Sequence, residues 1–392
     1  MLISSLAIAL TMKTNTFAED VAFLRKHKDT IVLRQGKAAV AVVPAYQGRV
    51  MTSTVDAASG PGNGWINYEH IASKKLVPHI NVFGGEERFW LGPEGGQYSI
   101  YFKGGDPFDL EHWQTPAIID TATYPVVSRS TKQVTFKKSS SLTNYWGNKF
   151  DFTITRKIEM LDSAFVAKTL GMPVPAGVKA VAYQSVNHLK NSGEYPWLKD
   201  SGLLSIWILS MLKYSPTTTV AIPYHQGSEA ERGPIVNDSY FGKVPTDRLK
   251  IGAKALFFKA DGKYRSKIGL NPMRSTGVCG SYDPVSGLLT IAQYTQPKNA
   301  RDYVNSMWQL QEDPYAGDVV NSYNDGPPAP GKKPLGPFYE LESSSPAAAL
   351  RAGETIVHVH RTMHFMGSKT DLDRIARKVL KAGCDEIANS LK

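Results

Sequence analysis

The sequence has little cysteine, no long apolar run and no block of basic residues. Its two cysteines, Cys279 and Cys384, have no metal-binding or redox spacing. We interpret them as buried free thiols, with a disulfide or a reactive thiol as the alternatives. No stretch of 18 apolar residues occurs, so no transmembrane helix is predicted. Lysine and arginine occur singly or in short pairs, so a nucleic-acid partner is not expected.

What the chain does contain is a surplus of positive charge and many turn residues. The formal net charge is +10, which is compatible with a preference for anionic glycans. Hydrophobic residues make up 42% of the chain, enough for a large core. With 33 glycines and 24 prolines, many turns are expected. The 10% aromatic content is typical of a large β protein and also of a sugar-binding groove.

The N-terminus resembles an incomplete export signal. An apolar run at residues 2–10 is followed by a small residue, Ala18, ahead of two acidic ones. We interpret residues 1–18 as a signal peptide, which implies a periplasmic or secreted protein. The run lacks a preceding basic segment, so a cytoplasmic protein beginning at Met12 is the alternative.

Short apolar alternations separated by Gly, Pro, Asn and Asp run through most of the chain, which predicts antiparallel strands. They occupy residues 30–33, 38–43, 98–102, 134–136, 150–158, 180–186, 218–222, 255–258 and 288–294. The pattern indicates an all-β sandwich or barrel. Short helices are predicted at residues 20–27 and 372–391, the second with Thr370 as its N-cap. No linker divides residues 19–392, so we expect one domain. The proline-rich stretch 327–337 is predicted to be a surface loop near the mouth of a site.

Ionisable residues cluster near the C-terminus. Glu340 and Glu342 alternate along one predicted strand and share a face, and His358, His360 and His364 do the same along the next. We expect the two strands to be adjacent, which would place carboxylates and imidazoles together for acid–base chemistry. A metal site of His358, His360 and one glutamate is a weaker alternative to a hydrogen-bonded polar strand, so no metal is predicted.

Several segments resemble the galactose mutarotase-like (aldose 1-epimerase-like) superfamily. They are YQGRVMTST from Tyr46, FGGEERFWLGPEGG from Phe83, NDSYFG from Asn237, NSYNDGP from Asn321 and FYELESSSP from Phe338. The closest resemblance is to a branch common in polysaccharide-degrading Bacteroidetes.

The resemblance implies a large antiparallel β-supersandwich that binds sugar on its concave face. It also implies that Glu342 is the catalytic base and that His188, within Asn187-His188, is the acid.

The glycine-rich segment that begins at Phe83 departs from the superfamily pattern. Mutarotases carry a sugar-contacting histidine where this chain has Phe83, so one of the two site histidines is missing. The rest of the segment keeps residues suited to a sugar. Arg88 offers a planar fork to hydroxyls or a carboxylate, Trp90 a ring face, and Glu94 an acceptor.

Five further residues are predicted to bind substrate, and one of them is Asn187 of the Asn-His pair. Arg49 follows a strand and could reach the site, although a structural ion pair would equally explain it. Asn324 and Asp325 lie in a turn just before the glutamate strand, and turn formation alone could account for them. Glu340 is predicted to bind a sugar hydroxyl.

These features favour an epimerase-like isomerase acting on a mono- or oligosaccharide at or near the anomeric carbon. Two alternatives stay open: an oligosaccharide-binding protein without turnover, and a glycan lyase or hydrolase in which Tyr323 or His188 abstracts the proton. No phosphate loop or dinucleotide fingerprint occurs, so no cofactor is predicted. The sequence leaves the sugar and the oligomeric state open.

Overall fold

The computed structural model describes residues 15–392 and is built mainly of antiparallel strands. In chain order the strands are β1 (Ile31–Gln35), β2 (Ala38–Val43), β3 (Arg49–Thr54), β4 (Arg88–Gly92), β5 (Val126–Arg129), β6 (Gln133–Thr143), β7 (Lys149–Met160), β8 (Lys179–Asn191), β9 (Ser205–Leu209), β10 (Leu212–Lys213), β11 (Thr219–Pro223), β12 (Leu249–Ile251), β13 (Ala255–Lys259), β14 (Ser266–Leu270), β15 (Val278–Asp283), β16 (Leu288–Tyr294), β17 (Val320–Asn324), β18 (Phe338–Ser344) and β19 (Thr355–Met366).

The helices are short and lie mostly at the chain ends or in connections. They are α1 (Phe17–His27), α2 (Tyr68–Ser73), α3 (Ala117–Asp120), α4 (Ser163–Leu170), α5 (Glu229–Arg232), α6 (Lys369–Val379) and α7 (Cys384–Asn389), with 3₁₀ turns at Pro44–Tyr46 and Lys199–Ser201.

The strands form three sheets. The smallest is three-stranded, in the order β1-β2-β3. The second is six-stranded, in the order β14-β17-β18-β9-β4, with β10 also paired to β18. The third is ten-stranded, in the order β12-β13-β11-β15-β16-β19-β8-β7-β6-β5.

The six- and ten-stranded sheets pack face to face, as the alternation along β18 shows. Tyr339 and Leu341 are buried in a cluster that also contains Cys279 and Phe258 of the ten-stranded sheet. The Tyr339 hydroxyl lies 2.6 Å from the Ser281 hydroxyl of that sheet. Because side chains alternate along a strand, the even-numbered residues of β18 face away from this interior. The prediction of a large antiparallel β-sandwich is therefore confirmed.

Terminal helices cover other surfaces of the sheets. Leu372 of α6 and Ile387 of α7 pack with Leu289 and Phe365 on the outer face of the ten-stranded sheet. At the other terminus, α1 packs Phe17 and its neighbours against the three-stranded sheet.

The helix boundaries differ from the predictions. The helix α1 begins three residues earlier than expected, because Thr16 and Glu19 form a reciprocal capping box. The C-terminal helix is two helices, and its N-cap is Ser368 rather than Thr370. Lys381 has a left-handed φ of 61° in the connection between them, which a continuous helix does not allow.

Of the nine predicted strands, the one at 98–102 was wrong. Ser99 and Ile100 donate backbone hydrogen bonds to Gly96 and Pro93 in a turn. Tyr101 is buried and donates to the Leu91 carbonyl at 2.9 Å. The apolar alternation there reflects burial of aromatic side chains and not sheet pairing.

Two other predictions concern the cysteines and the N-terminus. Cys279 and Cys384 are buried and free, as expected. The predicted signal peptide falls largely on residues 1–14, outside the described residues, and a leader followed by one domain stays a prediction. Within residues 15–392, no helix has the length and apolar character to span a bilayer.

Candidate functional site

Strand register brings charged and aromatic side chains together on the outward face of the six-stranded sheet. Glu342 of β18 pairs with Leu209 of β9, which pairs in turn with Arg88 of β4. On the other side of β18, Glu340 pairs with Tyr323 of β17, and Tyr323 pairs with Lys267 of β14. Residues that are far apart in sequence therefore become lateral neighbours.

This face forms the floor of an open cleft, called the cleft below, with about 900 Å³ of empty space. The floor residues are Arg88, Trp90, Trp207, Lys267, Glu340 and Glu342. The walls include Glu94, Trp113, Phe241, Arg265, Trp308 and Asp325.

Glu342 is completely buried at the floor of the cleft and is held through one of its two oxygens. Its Oε2 accepts hydrogen bonds from the Trp207 indole at 2.9 Å and from the Lys267 ammonium at 2.8 Å. Its Oε1 has no hydrogen-bond partner among the described residues. The carboxylate is thus fixed in place with one oxygen still able to accept a proton or a hydrogen bond.

Glu340 lies two residues away and is paired with Arg88, whose Nη2 is 2.5 Å from Glu340 Oε1. Burial raises the pKa of Glu340, and the Arg88 guanidinium offsets part of that rise. The guanidinium also lies 4.5 Å from the centre of the Trp90 ring. Its Nε is buried without a partner among the described residues.

Aromatic rings line both the floor and the walls of the cleft. Trp90 and Trp207 meet edge to face at 5.6 Å, and Trp113 and Trp308 stack at 5.9 Å. The indole nitrogens of Trp90 and Trp113 are buried donors that lack partners within the described part of the chain. Such rings supply flat apolar surface together with polar edges.

Asp325 anchors the predicted surface loop at the cleft. It accepts hydrogen bonds from the Tyr323 hydroxyl and from the Gly336 backbone amide, both at 2.7 Å. Burial raises the pKa of Asp325, and these hydrogen bonds offset part of the rise. The loop between Gly326 and Gly336 contributes Lys333 and Leu335 to the lining, which agrees with its expected position at the mouth of a site.

Glu94 also lines the cleft. Burial raises its pKa, and the positive charge of Lys267 offsets part of that rise. Arg88, Trp90, Glu94, Asp325, Glu340 and Glu342 are therefore the predicted site residues that the structure brings together.

His188, by contrast, does not line the cleft. It lies on β8 in the ten-stranded sheet, half-buried on the outer face, whereas its neighbour Asn187 points into the sandwich. The prediction that His188 shares a site with Glu342 is therefore corrected, because the two residues belong to different sheets.

Three predicted substrate-binding residues have structural hydrogen bonds instead. Asn187 accepts from Arg156 at 2.7 Å inside the sandwich. Arg49 donates to the Gly84 carbonyl at 2.7 Å, and burial lowers its pKa to about 9. Asn324 is fully buried and donates to the Tyr264 carbonyl at 2.8 Å. None of the three lines the cleft.

The histidine strand was predicted to adjoin the glutamate strand, and this was wrong. β19 belongs to the ten-stranded sheet, so His358 and His360 face the interior behind Glu340 and Glu342. Both rings lie 2.8 Å from the Ser343 hydroxyl. This is the hydrogen-bonded strand that we preferred to a metal site. Within residues 15–392, no cluster of three or more His, Cys, Asp or Glu side chains is arranged to hold a metal.

Phe83 also lies outside the cleft. It is buried beside the three-stranded sheet, where it stacks on Tyr46 at 4.1 Å. The residue at the position of the missing superfamily histidine is therefore part of the core.

Sequence reasoning missed Trp207, Lys267 and Arg265. Lys267 stands in the short apolar strand SKIGL, where a buried lysine requires an acidic partner. That signal could have predicted a lysine–glutamate pair. No comparable pattern marked Trp207 or Arg265.

Similar solved structures carry names from the superfamily that the sequence resembles. A galactose mutarotase-like protein from Lactobacillus casei has 10% sequence identity and a TM-score of 0.49, and the match covers 86% of this chain and 100% of that one. The galactose mutarotase related enzyme from Lactobacillus acidophilus has 9% identity and a TM-score of 0.46, with 86% and 98% covered. These values are too low to carry a functional argument.

No curated protein sequence matches the chain. One family model does, over residues 15–391, and it is described as a family of unknown function, DUF6786. Since this match spans nearly the whole sequence, the chain belongs to the DUF6786 family.

Proposed function

We propose that the cleft binds a sugar and that Glu342 acts as a base at or near the anomeric carbon, in an epimerase-like reaction. The observation that carries this proposal is the Glu342 carboxylate at the floor of an aromatic cleft. It is fully buried and fixed through Oε2, while Oε1 has no partner among the described residues. Sugar rings present apolar C–H faces and polar hydroxyl edges, which aromatic rings and unpaired polar atoms complement.

The base role follows from how Glu342 is held. Lys267 and Trp207 both donate to Oε2, so the lone pairs of Oε1 receive no hydrogen bond from the described residues. The Lys267 charge balances the carboxylate when no proton is bound. A base fixed in this way can take a proton without moving its supports.

Glu340 takes the acid role that we had expected of His188. Its raised pKa increases the fraction that holds a proton near neutral pH. It shares the floor of the cleft with Glu342, and Arg88 orients it. The alkaline limb of a pH–rate profile should therefore report Glu340, and this limb should disappear in Glu340→Gln.

The test is proton NMR of anomeric exchange in a panel of aldoses and uronic acids. We expect the wild type to accelerate exchange of at least one sugar and Glu342→Gln to lose roughly 100-fold or more of that acceleration. His188→Asn is the matched control, since His188 lies on the outer face of the other sheet. Full loss in His188→Asn with retained folding would overturn the assignment, as would no acceleration for any sugar.

Oligosaccharide binding without turnover is the second candidate function. Within residues 15–392, the lining of the cleft contains no histidine, and the acid candidate, Glu340, is already ion-paired. If Glu342→Gln weakens sugar binding and no sugar is turned over by the wild type, this second function replaces the first.

Proton abstraction by Tyr323, as in a lyase, is less favoured. Burial raises the pKa of Tyr323 well above 10, and the nearby Asp325 carboxylate raises it further. The tyrosinate that such a reaction needs is therefore disfavoured. Ultraviolet-absorbing unsaturated products from an acidic polysaccharide would reverse this preference.

We further propose a periplasmic location and a part in polysaccharide use, on the strength of the N-terminal apolar run and the superfamily resemblance. Cell fractionation with an epitope at the C-terminus tests the location. Recovery in the cytoplasm would overturn it.

A further inference from the structure

The cations of the cleft differ in whether a carboxylate neutralises them. Arg88 is paired with Glu340 at 2.5 Å, and Lys267 with Glu342 at 2.8 Å. Arg265, the third cation, has no carboxylate within 4.0 Å among the described residues. Of the two acidic groups near it, one has both oxygens hydrogen-bonded to other groups and the other forms no ion pair with it.

Those acidic groups are Asp325 and Glu94. Asp325 has both oxygens occupied, by the Tyr323 hydroxyl and the Gly336 amide. Glu94 is close enough for the Arg265 charge to lower its pKa, yet the two form no ion pair. The positive charge of Arg265 is therefore not compensated by direct contact with the described part of the chain.

Arg265 is nevertheless held in a fixed position. Its guanidinium carbon lies 3.8 Å from the centre of the Phe241 ring, and its Nε donates to the Tyr323 hydroxyl at 3.3 Å. Stacking on the ring and this hydrogen bond leave the two terminal nitrogens as the free edge of the planar fork. The side chain is half-buried and borders both the cleft and a smaller adjoining pocket.

A fixed, uncompensated guanidinium in a cleft with aromatic walls is suited to an anionic group. A carboxylate or sulfate can accept two parallel hydrogen bonds from the terminal nitrogens of the fork. Lys333, from the loop at the mouth of the cleft, adds a fourth cation, and this one is exposed. The overall charge of +10 also favours the approach of anions.

We propose that Arg265 is the specificity residue of the cleft and that the preferred ligand is an acidic sugar or acidic oligosaccharide, its charge carried by a carboxylate or a sulfate. This inference rests on the proposed binding of a sugar in the cleft. It adds the chemical class of the ligand, which the Glu342 geometry alone does not give.

The test is a binding panel of matched glycans: neutral disaccharides, the corresponding uronates, the methyl esters of those uronates, and sulfated forms. We expect the tightest ligand to be charged, and its uncharged counterpart, which is the methyl ester for a uronate, to bind at least tenfold more weakly. The uronate and sulfate arms identify which anion is recognised.

Variants then assign the preference to Arg265. Arg265→Gln should remove the difference between charged and neutral partners, and Arg265→Lys should restore part of it, because lysine keeps the charge but lacks the fork. Lys263→Gln removes the same charge from an exposed position outside the cleft and should leave the difference unchanged.

The possible negative results distinguish a wrong inference about Arg265 from a wrong proposal of sugar binding. If the wild type binds neutral sugars as tightly as charged ones, or if Arg265→Gln keeps the preference, the inference fails while sugar binding stands. If no member of the panel binds, the proposed function fails and the inference fails with it.

Discussion

Glu342 and Ser343 are consecutive residues on one strand, yet they belong to two differently organised polar regions. Glu342 faces the cleft and has an oxygen without a partner in the described part of the chain. Ser343 faces the sandwich interior and bridges His358 and His360 at 2.8 Å each. Both regions are buried and rich in ionisable groups, so burial alone does not identify a site.

The difference lies in whether unpartnered polar atoms belong to residues that line an open cleft. Both ring nitrogens of His358 and of His364 have hydrogen-bond partners. On the cleft side, Glu342, Arg88, Trp90 and Trp113 each have one buried atom without a partner among the described residues. Within residues 15–392 the interior side also has such atoms, at Glu86 Oε2 and Glu87 Oε2, but neither residue lines the cleft. An unpartnered buried atom therefore points to a ligand only where its residue also lines the cleft.

The largest expected effect of a single substitution is on the interior side, at Arg156. It pairs with Glu87 at 2.8 Å, and both side chains are fully buried. Arg156→Met leaves the buried Glu87 carboxyl without its ion-pair partner, so we expect a loss of about 3–5 kcal/mol in the free energy of unfolding by urea. The double variant Arg156→Met/Glu87→Leu should recover much of this loss. If Arg156→Met is as stable as the wild type but no longer binds sugar, the assignment of stability to the interior region and of binding to the cleft is wrong.

The second prediction concerns acid, which should lower the free energy of unfolding through His358 and His360. Burial lowers the pKa of each to about 3, and His358 lowers that of His360 further. Histidine in the unfolded chain has a pKa near 6.5, so below that pH the unfolded chain binds protons that the folded chain does not. The free energy of unfolding is therefore highest above pH 6.5 and decreases as the pH falls toward 3. Two protons taken up on unfolding give a slope of about 2.7 kcal/mol per pH unit.

Urea unfolding at a series of pH values measures this slope. His360→Gln should reduce the histidine contribution to about half. A stability that stays flat between pH 6 and pH 4 in the wild type would show that the interior histidines are not held neutral.

The smallest effect is expected from Trp207→Phe on the cleft side. The change removes the indole donor to Glu342 Oε2 but leaves Lys267 in place. Loss of one hydrogen bond to a charged group should weaken sugar turnover or binding by about tenfold, or about 1.5 kcal/mol. Trp146→Phe, at an exposed hairpin position, is the matched control for calorimetry and NMR. Equal effects of the two changes would contradict a supporting role for Trp207.

The comparison of the two regions also explains what could be predicted from the sequence. Alternation along 338–343 correctly placed Glu340 and Glu342 on one face, because side-chain direction in a strand is a local property. The pairing of that strand with the histidine strand was wrong, because the connection 345–354 crosses between sheets. Which sheet a strand joins depends on contacts distant in sequence.

The same limit applies to the site. The resemblance gave the position of Glu342, but the cleft also needs Trp207 and Lys267, which strand register alone brings to it. The prediction for His188 was wrong because a motif match does not show which face of which sheet a residue occupies. The Asn-His pair matched the superfamily motif, but in this chain it lies on the outer face of the other sheet.

The most direct measurement is the stabilisation that bound sugar gives to Glu342→Gln and Ser343→Ala. A ligand at 100 times its dissociation constant raises the free energy of unfolding of the wild type by about 2.7 kcal/mol. With the tightest glycan from the panel, we expect Ser343→Ala to start from a lower stability and keep this increment. Glu342→Gln should lose most of the increment, whatever its own stability. An increment kept in Glu342→Gln, or lost in Ser343→Ala, would contradict the assignment of sugar binding to the cleft face of the sheet.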